Sequence, residues 1–217
     1  MFKNIDAFLF DMDGTLIDSM GVWKEIDIEF LARFGYDLPD DLQKCLEGLC
    51  FHDTAVYMHK RFELPISVEE MKQCWNDMAL YKYTHSVEPK PGVIDLLKYA
   101  KANGIKLGIA TSNSRLLTDA FLNSKGMMDY FDFVLTGCDT FKSKPDPEVY
   151  LTVADKLNVD PKRCLVFEDV VAGIMAGKNA GMKVCAVEDE YSAYCRDEKK
   201  RLSDYYLNSY NEIVYSD

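Results

Sequence analysis

The 217-residue chain has only three histidines and no excess of positive charge: 25 Lys and Arg face 36 Asp and Glu, for a net charge of −11. That sign argues against a nucleic-acid backbone or an anionic membrane surface as the main partner, because both are held by clustered cations. It does not bar phosphate binding, which local donors and a metal decide. No apolar run approaches the roughly 20 residues of a membrane span, and the N-terminus lacks the basic-plus-apolar pattern of a signal peptide. The seven cysteines (45, 50, 74, 138, 164, 185 and 195) are scattered, odd in number and without a C-x-x-C pair. Cys164 and Cys185 lie in or beside apolar strand-like runs, where a reduced, buried thiol is the ordinary expectation. A reducing cytoplasm is the expected compartment. His59 and His85 have no metal-ligand spacing and read as surface or packed residues. Internal repeats and low-complexity tracts are also absent.

What is present is a composition 48% hydrophobic, enough to bury one substantial core with a small second module. The chain is organised around Phe8-Leu9-Phe10-Asp11-Met12-Asp13-Gly14-Thr15. The apolar run Ala7 to Phe10 has the length and bulk of a buried strand, and it stops at two carboxylates. In an open parallel sheet, ligands bind beyond the carboxyl ends of the strands, which would place Asp11 and Asp13 in the crevice. Two acids one residue apart repel, so a site holding both ionised calls for a cation, expected to be Mg²⁺ on oxygen ligands. Gly14 lets the backbone turn sharply, and Thr15 adds a hydroxyl and an amide where an anion could sit. The same stretch also reads as a strand followed by an Asp-Gly turn with no chemistry.

The first strand is predicted over 5–11. From about Ser19 to Val87 the texture changes to amphipathic helical stretches without a good strand. Val22, Ile26, Phe30, Leu31 and Phe34 recur at helical spacing up to Gly35. Pro39 opens a shorter helix, and 53–62 and 67–83 read as two more, the last with Ser67 and Glu70 in capping-box spacing. This block has the size of a four-helix insertion, with Trp23, Tyr57, Phe62, Trp75 and Tyr81 expected in its core. Pro89-Lys90-Pro91-Gly92 marks a hinge back to the main body. Thereafter strands at 105–110, 133–135, 164–167 and 183–187 alternate with helices at 93–103, 113–125, 147–157 and 171–180. Such alternation predicts an α/β fold with a doubly wound parallel sheet. A helix at 189–201 and an edge strand at 205–207 complete the reading.

Each apolar strand is followed by polar residues. After the first come Asp11 and Asp13. After the second come Thr111, Ser112 and Asn113, hydroxyls ahead of a helix N-terminus that suit an oxyanion or a simple N-cap. Beyond the third lies Lys142-Ser143-Lys144-Pro145-Asp146-Pro147, where the prolines stiffen the segment and Pro147 can start a helix. After the fourth come Glu168 and Asp169. Together these supply a phosphoryl-transfer site: carboxylates for a metal, hydroxyls and amides for phosphate, a lysine to offset charge, and a carboxylate nucleophile.

In these four ordered motifs, and in Gly173-Ile174-Met175-Ala176-Gly177-Lys178-Asn179-Ala180-Gly181, the sequence resembles the haloacid dehalogenase-like (HAD) superfamily. The match is to the subgroup with β-phosphoglucomutase and phosphoglycolate phosphatase, and it covers the chain to about Val187. The resemblance implies a Rossmann-like core over 1–17 and 88–217 and a mobile helical cap over 18–87. It implies that Asp11 becomes the phospho-aspartate and that Asp13 protonates the leaving oxygen and then activates water. It further implies that Gly14, Thr15, Thr111, Ser112, Asn113 and Lys144 line the phosphoryl subsite. Mg²⁺ would be held by Asp11, the Asp13 carbonyl oxygen and Asp169, with Glu168 a direct or water-mediated ligand. Asp18 and Ser19 read first as a helix N-cap and second as a hinge that senses closure.

The expected activity is a Mg²⁺-dependent phosphatase acting on a small phosphorylated metabolite, with the chain a monomer. A dehalogenase of this superfamily typically lacks the second acid, which is present here as Asp13. The mutases resemble one another in a His and an Arg on the cap; in ungapped alignment these fall at Trp23 and Phe51, with His52 adjacent, which favours hydrolase over mutase. A non-catalytic binding protein of the same fold is the third reading. Trp23, Cys50, Phe51, His52, Lys60 and Arg61 are read first as packing or solvated residues and second as substrate-facing. Trp23 and Phe51 in the pocket would admit a leaving group with an apolar or aromatic face.

Overall fold

The computed structural model describes residues 2–137 and 142–215; Cys138 lies outside them. Six strands form one all-parallel sheet: β1 (Ala7–Phe10), β2 (Lys106–Ala110), β3 (Phe133–Leu135), β4 (Cys164–Glu168), β5 (Lys183–Val187) and β6 (Tyr205–Leu207). Their spatial order is β3-β2-β1-β4-β5-β6, so the winding reverses between β1 and β4. That reversal opens a crevice at the carboxyl ends of the central strands. Phe10 aligns with Ile109 on one side and Phe167 on the other, which sets Asp11 level with Ala110 and Glu168, with Thr111 one residue further on.

β1 is buried on both faces, as a central parallel strand must be, and its alternation divides the core. Phe8 and Phe10 enter one cluster with Leu107, Ile109 and Phe167, and the Phe10 and Phe167 rings stack at 4.6 Å. Ala7 and Leu9 enter the other, beneath the helices α7 (Glu148–Leu157) and α8 (Val171–Asn179). Helices α5 (Val93–Ala102) and α6 (Arg115–Ser124) cover the first face.

Between β1 and α5 lie α1 (Met20–Ala32), α2 (Leu42–Leu46), α3 (Phe51–Arg61) and α4 (Val68–His85). α4 carries the expected capping box, with Ser67 and Glu70 bonding each other's backbone amides. The two chain segments joining this insertion to the sheet run side by side: Asp18 N–H donates to Glu88 O at 3.0 Å, and Lys90 N–H to Leu16 O at 2.9 Å. No helix among the described residues is long and apolar enough to cross a membrane.

Several expectations are corrected. Tyr81 is 68% exposed and stacks on His85, so it is not part of the insertion's core. The helix expected from Asn113 starts at Arg115, because the Ser114 hydroxyl accepts the Leu117 amide and caps it. The helix expected over 189–201 divides into a 3₁₀ segment, Glu190–Cys195, and α9 (Arg196–Leu202). There Asp189 accepts the Tyr191 amide and starts the tighter winding. Ser19 occupies an N-cap position on α1 without a side-chain cap bond, because its hydroxyl points to Asp13.

Candidate active site

β1 delivers Asp11 into the crevice, where it is 7% exposed. The Lys144 ammonium donates to Asp11 Oδ1 at 2.6 Å and to Glu168 Oε1 at 2.5 Å. Tyr150 Oη, from α7, also donates to Glu168 Oε1, at 2.8 Å. Asp169 accepts from the Thr15 hydroxyl at 2.9 Å. Glycines make this crowding feasible at two places. A Cβ on Gly173, inside α8, would lie 1.8 Å from Glu168 Oε1. Gly14 has φ +77°, and a Cβ there would meet Asp169 Oδ2 at 2.4 Å.

Asp11, Glu168 and Asp169 can each offer an oxygen to one point, with all three atoms within 4.8 Å of one another. Burial, with Glu168 and Asp13 adding to it and Lys144 opposing, pushes the Asp11 carboxyl up to about 8. Burial raises Asp169 well above the carboxylate range, and its acidic neighbours Glu168, Asp11 and Asp189 raise it further. Burial draws the Lys144 ammonium down, but Asp11 and Glu168 outweigh it and hold the amine protonated. Of these three buried carboxylates, Asp11 and Glu168 share the one buried ammonium, and Asp169 has only the Thr15 hydroxyl among the described residues. The negative excess and the all-oxygen donor set fit a divalent hard cation.

Asp13 turns away from that cluster, toward the insertion. Its Oδ1 accepts from Ser19 Oγ at 2.6 Å, Trp23 Nε1 at 3.4 Å and Tyr83 Oη, and its Oδ2 from Asn113 Nδ2 at 2.9 Å. Trp23 and Asn113 also donate to Tyr83 Oη, at 2.6 and 2.9 Å. Burial, with Asp13 close by, holds the Tyr83 phenol well above its usual value, so it stays a donor. Thr111 Oγ1 accepts the Asn113 amide at 3.1 Å, and the Asn113 carbonyl oxygen Oδ1 accepts the Ser114 amide at 2.7 Å. Ser112 is half-buried and lines the cavity, and its main-chain carbonyl accepts the Phe51 amide at 2.9 Å. Cys50 N–H donates to Ser143 Oγ at 3.0 Å, so the start of α3 rests on the loop that carries Lys144.

One cavity joins these groups to the insertion, with Trp23, Phe51, Asp27 and Trp75 among its walls. Tyr191 and Tyr194 close its other side, and Tyr194 Oη donates to Glu47. Trp23 and Phe51 therefore line the cavity. Cys50, His52, Lys60 and Arg61 are not among its lining residues; Arg61 instead pairs with Asp41 at 2.7 Å. Sequence reasoning missed Tyr83, Tyr150, Glu47 and Asp27. Trp23 carried one usable signal: it sits four residues after Ser19, hence on the same helical face.

A model of the haloacid dehalogenase-like hydrolase family matches residues 8–187. The chain belongs to that family. Within it, the chain is 30% identical over 179 residues to a phosphorylated carbohydrates phosphatase of Thermotoga maritima, covering 82% of this chain and 83% of that protein. It is 29% identical to hexitol phosphatase B of Escherichia coli, covering 99% and 97% of the two chains. It superposes on a β-phosphoglucomutase from Clostridium difficile with a TM-score of 0.83 at 25% identity, covering 97% and 94%. The haloacid dehalogenase-like chain described here is a phosphomonoester hydrolase.

Proposed function

We infer that the chain hydrolyses a small phosphorylated carbohydrate-like metabolite through an aspartyl-phosphate, with Mg²⁺ as cofactor. The observation that carries this reading is the buried Asp11–Glu168–Asp169 set, with Lys144 on Asp11 and Glu168 and with Asp13 on the wall of the same cavity as Asp11. Asp11, Asp169 and Glu168 would hold the cation, with the Asp13 carbonyl oxygen as a further ligand. Bound there, Mg²⁺ supplies charge neutralisation for the phosphoryl oxygens. Lys144 offsets the same charge, and Ser112 with the amides after β1 and β2 cradles the group.

In the first half-reaction an Asp11 carboxylate oxygen attacks phosphorus. The P–O ester bond breaks as Asp13 gives its proton to the departing alcohol oxygen. In the second, water attacks phosphorus and yields its proton to the Asp13 carboxylate; the P–O bond to Asp11 breaks, freeing phosphate, restoring the Asp11 carboxylate and returning Asp13 to its protonated form. The segment 18–87 acts as a cap, hinged where residues 16–18 and 88–90 run side by side. Its closed position, in which Trp23 and Tyr83 bond Asp13, would exclude bulk water from the site.

The relatives named as a phosphorylated carbohydrates phosphatase and a hexitol phosphatase support the substrate class. The cavity supports hydrolase over mutase. Among its described lining residues Lys144 is the only Lys, Arg or His, so a retained bisphosphate would find no second cation.

The test is release of p-nitrophenol from p-nitrophenyl phosphate with Mg²⁺ or EDTA, comparing native protein with Asp11→Asn. Metal-dependent release that falls at least about 10³-fold in Asp11→Asn is expected, as for loss of a nucleophile. An undiminished rate in Asp11→Asn would sink the mechanism. No release from the folded native protein would sink the general phosphatase reading.

A further inference from the structure

The Tyr83 hydroxyl is a buried titratable group to which the reaction steps above give no task. Tyr83 lies on α4, 70 residues from the Asp13 it bonds, is fully buried, and is not among the residues that line the cavity. Its ring is held edge-on by Trp23 and Phe121, at centroid distances of 6.0 and 6.5 Å. Counting donors and lone pairs directs every hydrogen bond around it. Asn113 Oδ1 accepts the Ser114 amide, so Asn113 Nδ2 faces Asp13 and Tyr83 with one hydrogen for each. The Trp23 indole has a single N–H and only donates; Tyr83 Oη, at 2.6 Å, is its nearer acceptor and Asp13 Oδ1, at 3.4 Å, the farther. Both lone pairs of the Tyr83 oxygen are therefore taken. Its one hydrogen is left to point at Asp13 Oδ1.

The two oxygens of Asp13 are then unequal. Oδ1 accepts from Ser19, from Tyr83 and, at longer range, from Trp23, whereas among the described residues Oδ2 accepts only from Asn113. An oxygen surrounded by donors has no lone pair left for a proton of its own, so the lone pair free for exchange is on Oδ2. We propose that Tyr83 is a positioning residue for proton transfer: by holding Oδ1 it leaves Oδ2 as the atom that gives a proton to the leaving oxygen and takes one back from water. The proposal rests on the phosphatase reading and gives a part in it to a residue outside the cavity wall. Without the phenol hydroxyl, Oδ1 loses its donor from α4 and the Asn113 and Trp23 N–H groups lose their shared acceptor. The carboxylate is then free to turn, and the oxygen that carries the proton is no longer fixed.

The experiment compares kcat/KM, with Mg²⁺, for phenyl phosphate and p-nitrophenyl phosphate in native protein, Tyr83→Phe and Trp23→Phe. The two esters are close in shape, but phenolate is a far more basic leaving group than p-nitrophenolate and needs a proton as it departs. Tyr83→Phe keeps the ring and removes the hydroxyl. It is expected to lose about 10–100-fold on phenyl phosphate, out of the roughly 10²–10⁴-fold that a positioned acid supplies. Its loss on p-nitrophenyl phosphate should be several-fold smaller. Trp23→Phe frees one lone pair of Tyr83 and should show the same ordering with a smaller loss; it decides the question if Tyr83→Phe does not fold. Inhibition by inorganic phosphate, which reads the phosphoryl subsite without a leaving group, should stay close to native in both variants. Equal losses on the two esters, or an inhibition constant that rises as far as kcat/KM falls, would overturn the assignment, because Tyr83 would then serve packing alone. Native protein inactive on both esters undoes the phosphatase reading and this one with it; active native protein with equal losses in the variants undoes this one alone.

Discussion

At the scale of single residues, Asp27 shows what a largely buried carboxylate on the cavity wall costs. A leucine in its place would pack among the neighbouring aromatics, whereas the carboxylate sits unpaired. Burial alone pushes it up to about 7. Below about pH 4 the carboxyl is protonated in folded and unfolded chains alike, and it carries no penalty. Between pH 4 and 7 the unfolded chain releases the proton while the folded chain keeps it, so stability falls as pH rises. Above pH 7 the penalty levels off, on the order of 2–4 kcal/mol for a gap of this size. Asp27→Asn keeps the shape and removes the titration. Its stability gain over native protein in urea unfolding should be small near pH 4.5 and largest near pH 8. A gain independent of pH would show that burial of the ionised form is not what destabilises the site.

At the scale of elements, α8 is fitted to β4 at a single residue. Gly→Ala inside a helix ordinarily adds about 1 kcal/mol of stability. Gly173→Ala should do the opposite, because its Cβ would fall 1.8 Å from Glu168 Oε1. Either Glu168 leaves its bonds with Lys144 and Tyr150, or the helix start moves. A lower Tm together with weakened metal-dependent activity is the expected result, and a Tm gain would show that the contact relaxes freely. The same element scale explains what the sequence could convey. Asp11, Asp13, Thr111, Ser112, Asn113, Glu168 and Asp169 each follow directly on an apolar run, so strand endings alone brought them to one edge. Tyr83, Tyr150 and Asp27 lie within helices whose composition reads as ordinary amphipathic packing. Their place in the site comes from docking: Tyr83 is 70 residues from the Asp13 it bonds. Ser19 misled for a related reason. A serine before a helix can serve a backbone amide or a nearby carboxylate, and only the tertiary arrangement chooses. Tyr81, two residues before Tyr83 and so on the opposite face of α4, shows that an aromatic in an amphipathic helix need not be core.

At the scale of the molecule, a net charge of −11 and a buried excess of carboxylates mean that the fold is held together against its own site. A cation binding only the folded chain would relieve that strain and add stability by mass action, about 2.7 kcal/mol at a concentration one hundred times its Kd. For a chain of this size that corresponds to a Tm rise of roughly 5–10 °C. The rise should be seen with MgCl₂ over a NaCl control of equal ionic strength, because a surface this acidic also gains from general screening. Asp169→Asn removes one ligand and one of the like charges that raise the others. It should melt above native protein in EDTA and respond less to Mg²⁺, so the order of the two proteins narrows or reverses as metal is added. This crossing separates a metal site from a merely unfavourable charge cluster, since relief of repulsion alone would leave the variant ahead by the same margin at every Mg²⁺ concentration. A native Tm indifferent to Mg²⁺ beyond the salt control would mean that Lys144 and protonation of Asp11 balance the site without a cation, and the proposed cofactor would have to be given up.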